Sequence, residues 1–236
     1  MTLILNSGFT LGPSVILKSN PPLLNTGSMY FDGSSWLETL QASDLTPGTG
    51  DFTAEWWQNM DPNSGENARL WEIGLWSGTI WGVSEEGSST PKLLYWDTQS
   101  VSYMLAGSLP LNIWAHVAIV RQSNTLTIYL NGASIYTNSD SQNIDNSGNI
   151  PLTIGAESTG NANTLWKGYL TNFRINSNAV YTQPFNPPTG PLTADLNTKL
   201  LLLADTSDNL LLDSSGLAHT FSQNGNGVVW TPNSPW

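Results

Sequence analysis

From Trp114 to Gly132 two apolar runs flank a polar break. Trp114-Ala115-His116-Val117-Ala118-Ile119-Val120-Arg121 is followed by Gln122 to Thr125, and then by Leu126-Thr127-Ile128-Tyr129-Leu130-Asn131-Gly132. The first run is apolar almost throughout, as in a strand covered on both faces. The second alternates Leu126, Ile128 and Leu130 with Thr127, Tyr129 and Asn131, the period of a half-buried strand. Together they predict an antiparallel hairpin, with Asn131-Gly132 supplying the next tight turn and Ile135-Tyr136 the returning strand.

The same alternation recurs along the chain. Strands are expected at Ser28 to Asp32, Ser35 to Thr39, Asp51 to Met60, Arg69 to Gly74, Thr79 to Ser84, Leu93 to Asp97 and Ser102 to Leu105. After a polar loop, Asn138 to Asn149, they resume at Leu152 to Gly155, Trp166 to Ile175 and Lys199 to Leu203. In the Asp51 strand, Phe52, Ala54, Trp56 and Met60 share one face and Thr53, Glu55, Trp57 and Asn59 the other. Nothing sustains a helical period beyond one turn near Ala179-Val180-Tyr181. Short strands at close spacing predict an all-β chain folded as a two-sheet antiparallel β-sandwich.

Residues 1–27 read as an N-terminal arm broken at Pro21-Pro22, residues 28–204 as the core, and residues 205–236 as a C-terminal extension packing on the core or on a partner subunit. Strands are expected in that extension near Ala218 to Ser222 and Val228 to Thr231. Pro184 to Pro191 reads as a proline-punctuated linker.

Composition narrows the chemistry. The chain has 236 residues and no cysteine, and 39% hydrophobic residues with eleven Trp are enough for a large core without disulfides. A net charge of −11 goes with only 11% charged residues, so Ser, Thr, Asn, Gln and Gly dominate the surface. Seven scattered Lys and Arg argue against nucleic acid as a partner. No stretch reaches the ~20 apolar residues of a membrane helix, and Met1 to Asn6 lacks the basic start of a secretory leader.

Six blocks carry a family resemblance: Tyr30-Phe31-Asp32-Gly33; Asp51 to Trp57; Trp114 to Arg121; Leu126 to Gly132; Leu152-Thr153-Ile154-Gly155; and Gly168 to Ile175. In order and spacing they resemble the laminin-G-like domain, a concanavalin A-like jelly roll, over about residues 28–204. Val180-Tyr181, Phe185 to Pro188, Leu200 to Leu203, Asp213 to Gly216 and Val228-Val229-Trp230 are similar to the version found in bacteriophages and other viruses. The resemblance implies a curved sheet stacked on a flatter one, with rim loops that often bind sugars or Ca²⁺. It further implies a place on the virion, as a capsid decoration, head-associated or tail-fibre subunit among other virion proteins and in a homo-oligomer.

Related jelly rolls include glycoside hydrolases with paired carboxylates on one strand, usually Glu-x-Asp-x-Glu, about 5 Å apart in retaining enzymes. Glu55 is isolated on its strand and Glu85-Glu86 point to opposite faces, so no enzyme is expected. His116, in a core strand, reads as a satisfied structural histidine, and with His219 alone besides there is no set for zinc or a nucleophilic triad. Exposed indoles stack on pyranose rings while amides and carboxylates take the hydroxyls. Trp76, Trp81 and Trp166, beside Gly or Ser, together with Glu85, Asp97, Asn161 and Asn163, form the expected glycan site. Trp36, Trp56, Trp71 and Trp114 are assigned to the core. Asp205, Asp208 and Asp213 are the expected Ca²⁺ ligands, with Asp32, Asp140, Asn143 and Asp145 as further oxygen donors. Trp236 is the expected interface anchor. Two functions remain open: a non-enzymatic virion structural protein, and a carbohydrate-binding module.

Overall fold

The computed structural model describes residues 26–39, 42–75, 78–85, 91–97, 102–104, 109–157 and 161–236. The N-terminal arm up to residue 25, and Trp76, lie outside the described residues.

In chain order the strands are β1 (Ser28–Asp32), β2 (Ser35–Thr39), β3 (Phe52–Met60), β4 (Ala68–Leu75), β5 (Gly78–Glu85), β6 (Leu93–Asp97) and β7 (Ser102–Met104). They continue as β8 (Ala115–Gln122), β9 (Thr125–Leu130), β10 (Ala133–Ser139), β11 (Leu152–Ile154), β12 (Lys167–Asn176), β13 (Thr198–Leu202), β14 (Ser222–Gly225) and β15 (Val229–Thr231). One sheet has the order β10-β9-β8-β3-β12-β1-β15, with β13 pairing β12; the other runs β14-β2-β11-β4-β5-β6-β7. All named pairings are antiparallel, giving the two-sheet sandwich that the alternation predicts.

Turn chemistry sets the central meander. Ser123 and Asn124 take φ of 48° and 62°, and Asn131 and Gly132 take 49° and 78°, the left-handed pairs that match the twist of a two-residue hairpin. Gly132 also accepts a hydrogen bond from Phe185 N at 3.0 Å, and a Cβ there would collide with the Phe185 carbonyl.

The core lies between the sheets, where Phe52, Trp56, Trp71, Trp81, Trp166 and Phe173 are enclosed. Trp71 meets Trp81 edge-on at 4.9 Å, and Trp56 at 6.2 Å, geometry that the ring quadrupoles favour. Trp36 and Trp114, assigned to the core from sequence, are instead half-buried, and Trp114 donates to Asn233 Oδ1 at 3.2 Å.

Two other expectations are corrected, at 177–197 and at 218–222. No helical turn forms near Ala179-Val180-Tyr181, and Pro184 to Pro191 belongs to an irregular strap, 177–197, across the outer face of the eight-stranded sheet. It is tied down by Leu192 N donating to Asn172 Oδ1 at 2.6 Å and Val180 N donating to Thr53 Oγ1 at 2.9 Å. The extension 205–236 packs on the core by adding an edge strand to each sheet: β14 pairs β2 and β15 pairs β1. The strand expected at Ala218 to Ser222 begins only at Ser222, because residues 213–220 form a turn held by Asp213.

Candidate functional site

The sandwich interior holds one continuous polar chain. Trp56 Nε1 donates to Gln58 Oε1 at 2.5 Å, Gln58 Nε2 donates to Glu85 Oε1 at 2.6 Å, and Trp166 Nε1 donates to Glu85 Oε2 at 2.7 Å. Glu85 is fully enclosed, and burial pushes its carboxyl up to about 7 despite the donors from Trp166 and Gln58. This placement corrects the glycan-site expectation for three residues. Trp81, Glu85 and Trp166 face the core, not a rim loop, and an indole with 0% exposure has no face to offer a pyranose.

Asp97 sits elsewhere, at the end of β6, opposite Trp81 in register. It is enclosed, and neither of its carboxyl oxygens has a hydrogen-bond partner. Asp140, which follows β10 on the facing sheet, is in contact with it; burial and this neighbouring charge push the Asp97 carboxyl well up. Asp140 Oδ1 accepts from Gln142 N at 2.9 Å, while its Oδ2 is unpartnered.

The nearby Arg121 does not resolve the pair. Its guanidinium spends its donors on carbonyls, Nε on Gly50 at 2.9 Å, Nη1 on Gln142 at 2.8 Å and Nη2 on Gly48 at 2.6 Å, and stays 3.5 Å from Asp140 Oδ1. Three buried carboxyl oxygens therefore lack a donor, which is costly in a low-dielectric site. A shared proton would satisfy two of them, and a hard divalent cation would satisfy all three. Carboxylate oxygens are the ligand type that Ca²⁺ takes. Among the described residues no three His, Cys, Asp or Glu side chains gather into a metal set, so the protein's own carboxylate contribution is this pair.

One residue away, Trp96 points to the opposite side of β6, the outer face of the seven-stranded sheet. Strand register places it in a row running Ser222, Glu38, Thr153, Glu72, Gly82, Trp96. Its Nε1 donates to Ser84 Oγ at 3.0 Å, and the Arg69 guanidinium lies 5.6 Å from the ring centroid while pairing with Glu72 at 3.1 Å. The half-buried indole is thus fixed in orientation before any ligand arrives. Trp96 is not among the residues expected from the sequence, although alternation with buried Tyr95 already places it on the other face.

The remaining expected residues scatter. Asn161 caps a single 3₁₀ turn, Ala162–Thr164, that contains Asn163, and Asn163 N donates to Asn161 Oδ1 at 3.1 Å. Asn163 O accepts from Asn67 N at 3.1 Å, beside the start of β4. Ala68 at that start pairs with Glu85, while Asp97 pairs with Trp81, so these asparagines are offset from Asp97 by about four residues along the strands, ~13 Å, and by two strands across the sheet.

Asp205, Asp208 and Asp213 do not form a ligand set. Asp205 accepts from Asn209 Nδ2, and Asp208 lies beside Ser207 Oγ at 3.5 Å. Asp213 accepts from Leu201 N, Ser215 N, Ser215 Oγ, His219 N and His219 Nδ1, a structural clamp with no oxygen to spare. Asp32 and Asp145 bond the backbone NH two residues on, as Asx turns do. Trp236 lies edge-on to Trp57 at 5.8 Å over the outer face of the eight-stranded sheet.

Glu55 and His116 face that same outer surface, under the strap. Glu55 accepts from Arg174 Nε at 2.9 Å and from the Tyr181 hydroxyl at 2.8 Å, and His116 Nε2 lies 3.1 Å away. These partners hold its carboxyl below the usual range in spite of burial. His116 is half satisfied, since its Nδ1 has no partner.

Comparison with known proteins agrees with the fold. Residues 31–183 match the family described as the Concanavalin A-like lectin/glucanases superfamily. The fold is similar to that of a Bacteroides ovatus ATCC 8483 protein described as a candidate carbohydrate binder (TM-score 0.67, 17% identity, 89% of this chain). The chain spans 60% of that protein's length. It is also similar to a heptameric SAP-like pentraxin from Limulus polyphemus, at TM-score 0.60 and 14% identity over 88% of this chain and 95% of that one. No curated protein matches the sequence. Among the described residues no helix is long and apolar enough to cross a membrane. With the family matched over more than half its length and both sheets in place, the chain belongs to the concanavalin A-like lectin/glucanases superfamily.

Proposed function

We propose that this jelly roll is a non-catalytic attachment module that binds carbohydrate against Trp96, with Ca²⁺ held by Asp97 and Asp140. The observation carrying the proposal is the enclosed Asp97 carboxylate with two unpartnered oxygens, next in sequence to an indole fixed by Ser84 and Arg69. A cation there stiffens the end of β6 from the inner side of the sheet, while Trp96 on the outer face supplies apolar area for a sugar ring. Membership of a superfamily described by lectins supports the ligand class. The non-catalytic reading is supported by the two buried glutamates, Glu55 and Glu85. One lies under the strap and the other between the sheets, so they do not flank a common groove.

A glycan array probed with and without Ca²⁺, repeated with Asp97→Asn and Trp96→Ala, tests this. Binding that needs Ca²⁺ and is lost in both variants is expected. A flat array, or binding that both variants retain, defeats the proposal.

A virion setting, as decoration, head-associated or tail-fibre subunit, adds a location to the same activity. It rests on the viral-type resemblance and on a chain with only 11% charged residues. Native mass spectrometry and co-purification with particles test it; a monomer absent from particles counts against it.

A further inference from the structure

On the outer face of the other sheet, away from Asp97 and Trp96, the strap leaves a cavity of about 330 Å³. Its floor is the outward side of the β8–β9 hairpin, where Val120 stands opposite Thr127, Gln122 opposite Thr125, and Ala118 opposite Tyr129. Its wall is Tyr181 with Thr182.

Three features make this a built site. The first is composition: Gln122, Ser123, Thr125, Thr127 and Thr182 line it together with two phenol rings, and no charged side chain does, in a chain of net charge −11. The second is capacity. Gln122, Ser123, Thr125 and Thr182 are exposed, and among the described residues their side chains make no hydrogen bond within the protein, so an amide and three hydroxyls along this lining are open to a ligand. The third is rigidity. Tyr181 stacks on Phe185 at 3.6 Å and 5° while its hydroxyl donates to Glu55, which Arg174 in turn holds. Phe185 meets Tyr129 at 5.4 Å, so both aromatic walls are locked.

The volume is at the lower end of the ~300–1,000 Å³ of small-molecule sites. Aromatic faces with neutral donors and acceptors suit a ring that is apolar on its faces and hydroxylated at its edge. We propose that this cavity is a second binding site, for a single neutral pyranose, independent of Ca²⁺ and of the Trp96 face. Two sites on opposite sheets make the module bivalent, able to bridge two glycan chains or to grip one chain twice.

The test uses methyl α-glycopyranosides of glucose, mannose and galactose as probes, with glucuronate as the charged control, followed by NMR on the full chain in EDTA. At least one neutral glycoside is expected to shift amide resonances within residues 120–129 and 181–182, with glucuronate at least about tenfold weaker. Thr127→Leu fills the cavity without touching the Glu55 cluster, and Gln122→Leu removes the amide. Each is expected to weaken binding about tenfold, the first by occupying the space and the second by a lost hydrogen bond, with the melting temperature as the check on folding. Asp97→Asn should leave this binding intact, which separates failure here from failure of the calcium-supported site. Absence of shifts at these residues with every neutral glycoside, equal binding of glucuronate, or full retention in a folded Thr127→Leu protein would overturn the proposal.

Discussion

Arg174 and Glu55 stand directly opposite each other on β12 and β3, and the guanidinium holds the carboxylate through Nε at 2.9 Å and Nη2 at 2.5 Å. The pairing depends on a bulge. Thr171 faces Trp57, and three residues later Arg174 faces Glu55 only two residues back, with Asn172 at φ 54° absorbing the extra position. Without that bulge the arginine would turn toward the apolar core. The same Asn172 accepts from Leu192 N, and Arg174 Nη1 donates to Thr193 O at 3.0 Å, so bulge, ion pair and strap form one unit.

Removing one member of a buried pair strands the other charge, a loss of roughly 3–5 kcal/mol. Arg174→Met is therefore expected to lower stability by about 3 kcal/mol in urea unfolding. Hydrogen exchange should also speed up in residues 177–197. The double variant Glu55→Leu with Arg174→Met should recover part of the loss. An Arg174→Met protein as stable as the parent would show that the pair does not hold the strap.

Glu85 gives the pH dependence a definite sign. Its folded value of about 7 lies above the ordinary 4.5, so between these pH values the folded state retains a proton that the unfolded chain has released. The stabilising effect is complete below about pH 4.5 and is lost as pH rises to about 7, a fall of roughly 3 kcal/mol that then levels off. In Glu85→Gln this fall should disappear, and the difference between parent and variant isolates Glu85 from His219, which acts in the same direction. Urea midpoints at pH 4.5, 6 and 8 would measure it. Parallel curves for the two proteins would show that Glu85 does not titrate in this range.

The strands were legible because each face repeats every second residue. The β3 face of Phe52, Ala54, Trp56 and Met60 is in the core as the alternation requires, with polar Gln58 following its register inward to reach Glu85. What alternation cannot show is which half-polar face another segment will cover. Glu55 looked isolated because its partners Arg174 and Tyr181 are 119 and 126 residues away. The Asp97–Asp140 contact joins two strand ends on facing sheets and leaves no local signature. Trp81 and Trp166 were misread for a simpler reason: Gly and Ser neighbours mark turns in general, but Gly82 lies within β5, where a Cβ would collide with Glu72.

The C-terminal segment is held to the body by His219, whose Nδ1 meets Asp213 at 2.8 Å and whose Nε2 meets Asp44 at 3.1 Å. The hydrogen bond to Asp213 raises the imidazole above its ordinary value, with Asp44 adding to the effect. The charged clamp is therefore complete below the ordinary histidine range and is lost as pH rises through the elevated value. On the acid side, Asp213, held down at about 2, keeps its contribution until pH falls to that level. Limited proteolysis within residues 213–222 is expected to speed up from pH 6 to pH 9, and Asp44→Asn should shift that acceleration to lower pH. Cleavage independent of pH would mean that β14 and β15 pairing alone retains the segment.

The calcium binding proposed at Asp97 and Asp140 has a thermodynamic signature that needs no sugar. A cation that binds only the folded state stabilises it by RT ln(1 + [Ca²⁺]/Kd), about 2.7 kcal/mol at a hundredfold excess over Kd. The parent protein should melt several degrees higher in Ca²⁺ than in EDTA. Asp97→Asn should not respond, because the unpartnered buried oxygens that make the site are then replaced by an amide. Asp205→Asn should respond as fully as the parent, since Asp205 is engaged with Asn209 in a separate turn. Equal melting of the parent in Ca²⁺ and EDTA would leave the carboxyl pair to a shared proton, and a Ca²⁺ response retained by Asp97→Asn would place the cation elsewhere on the chain.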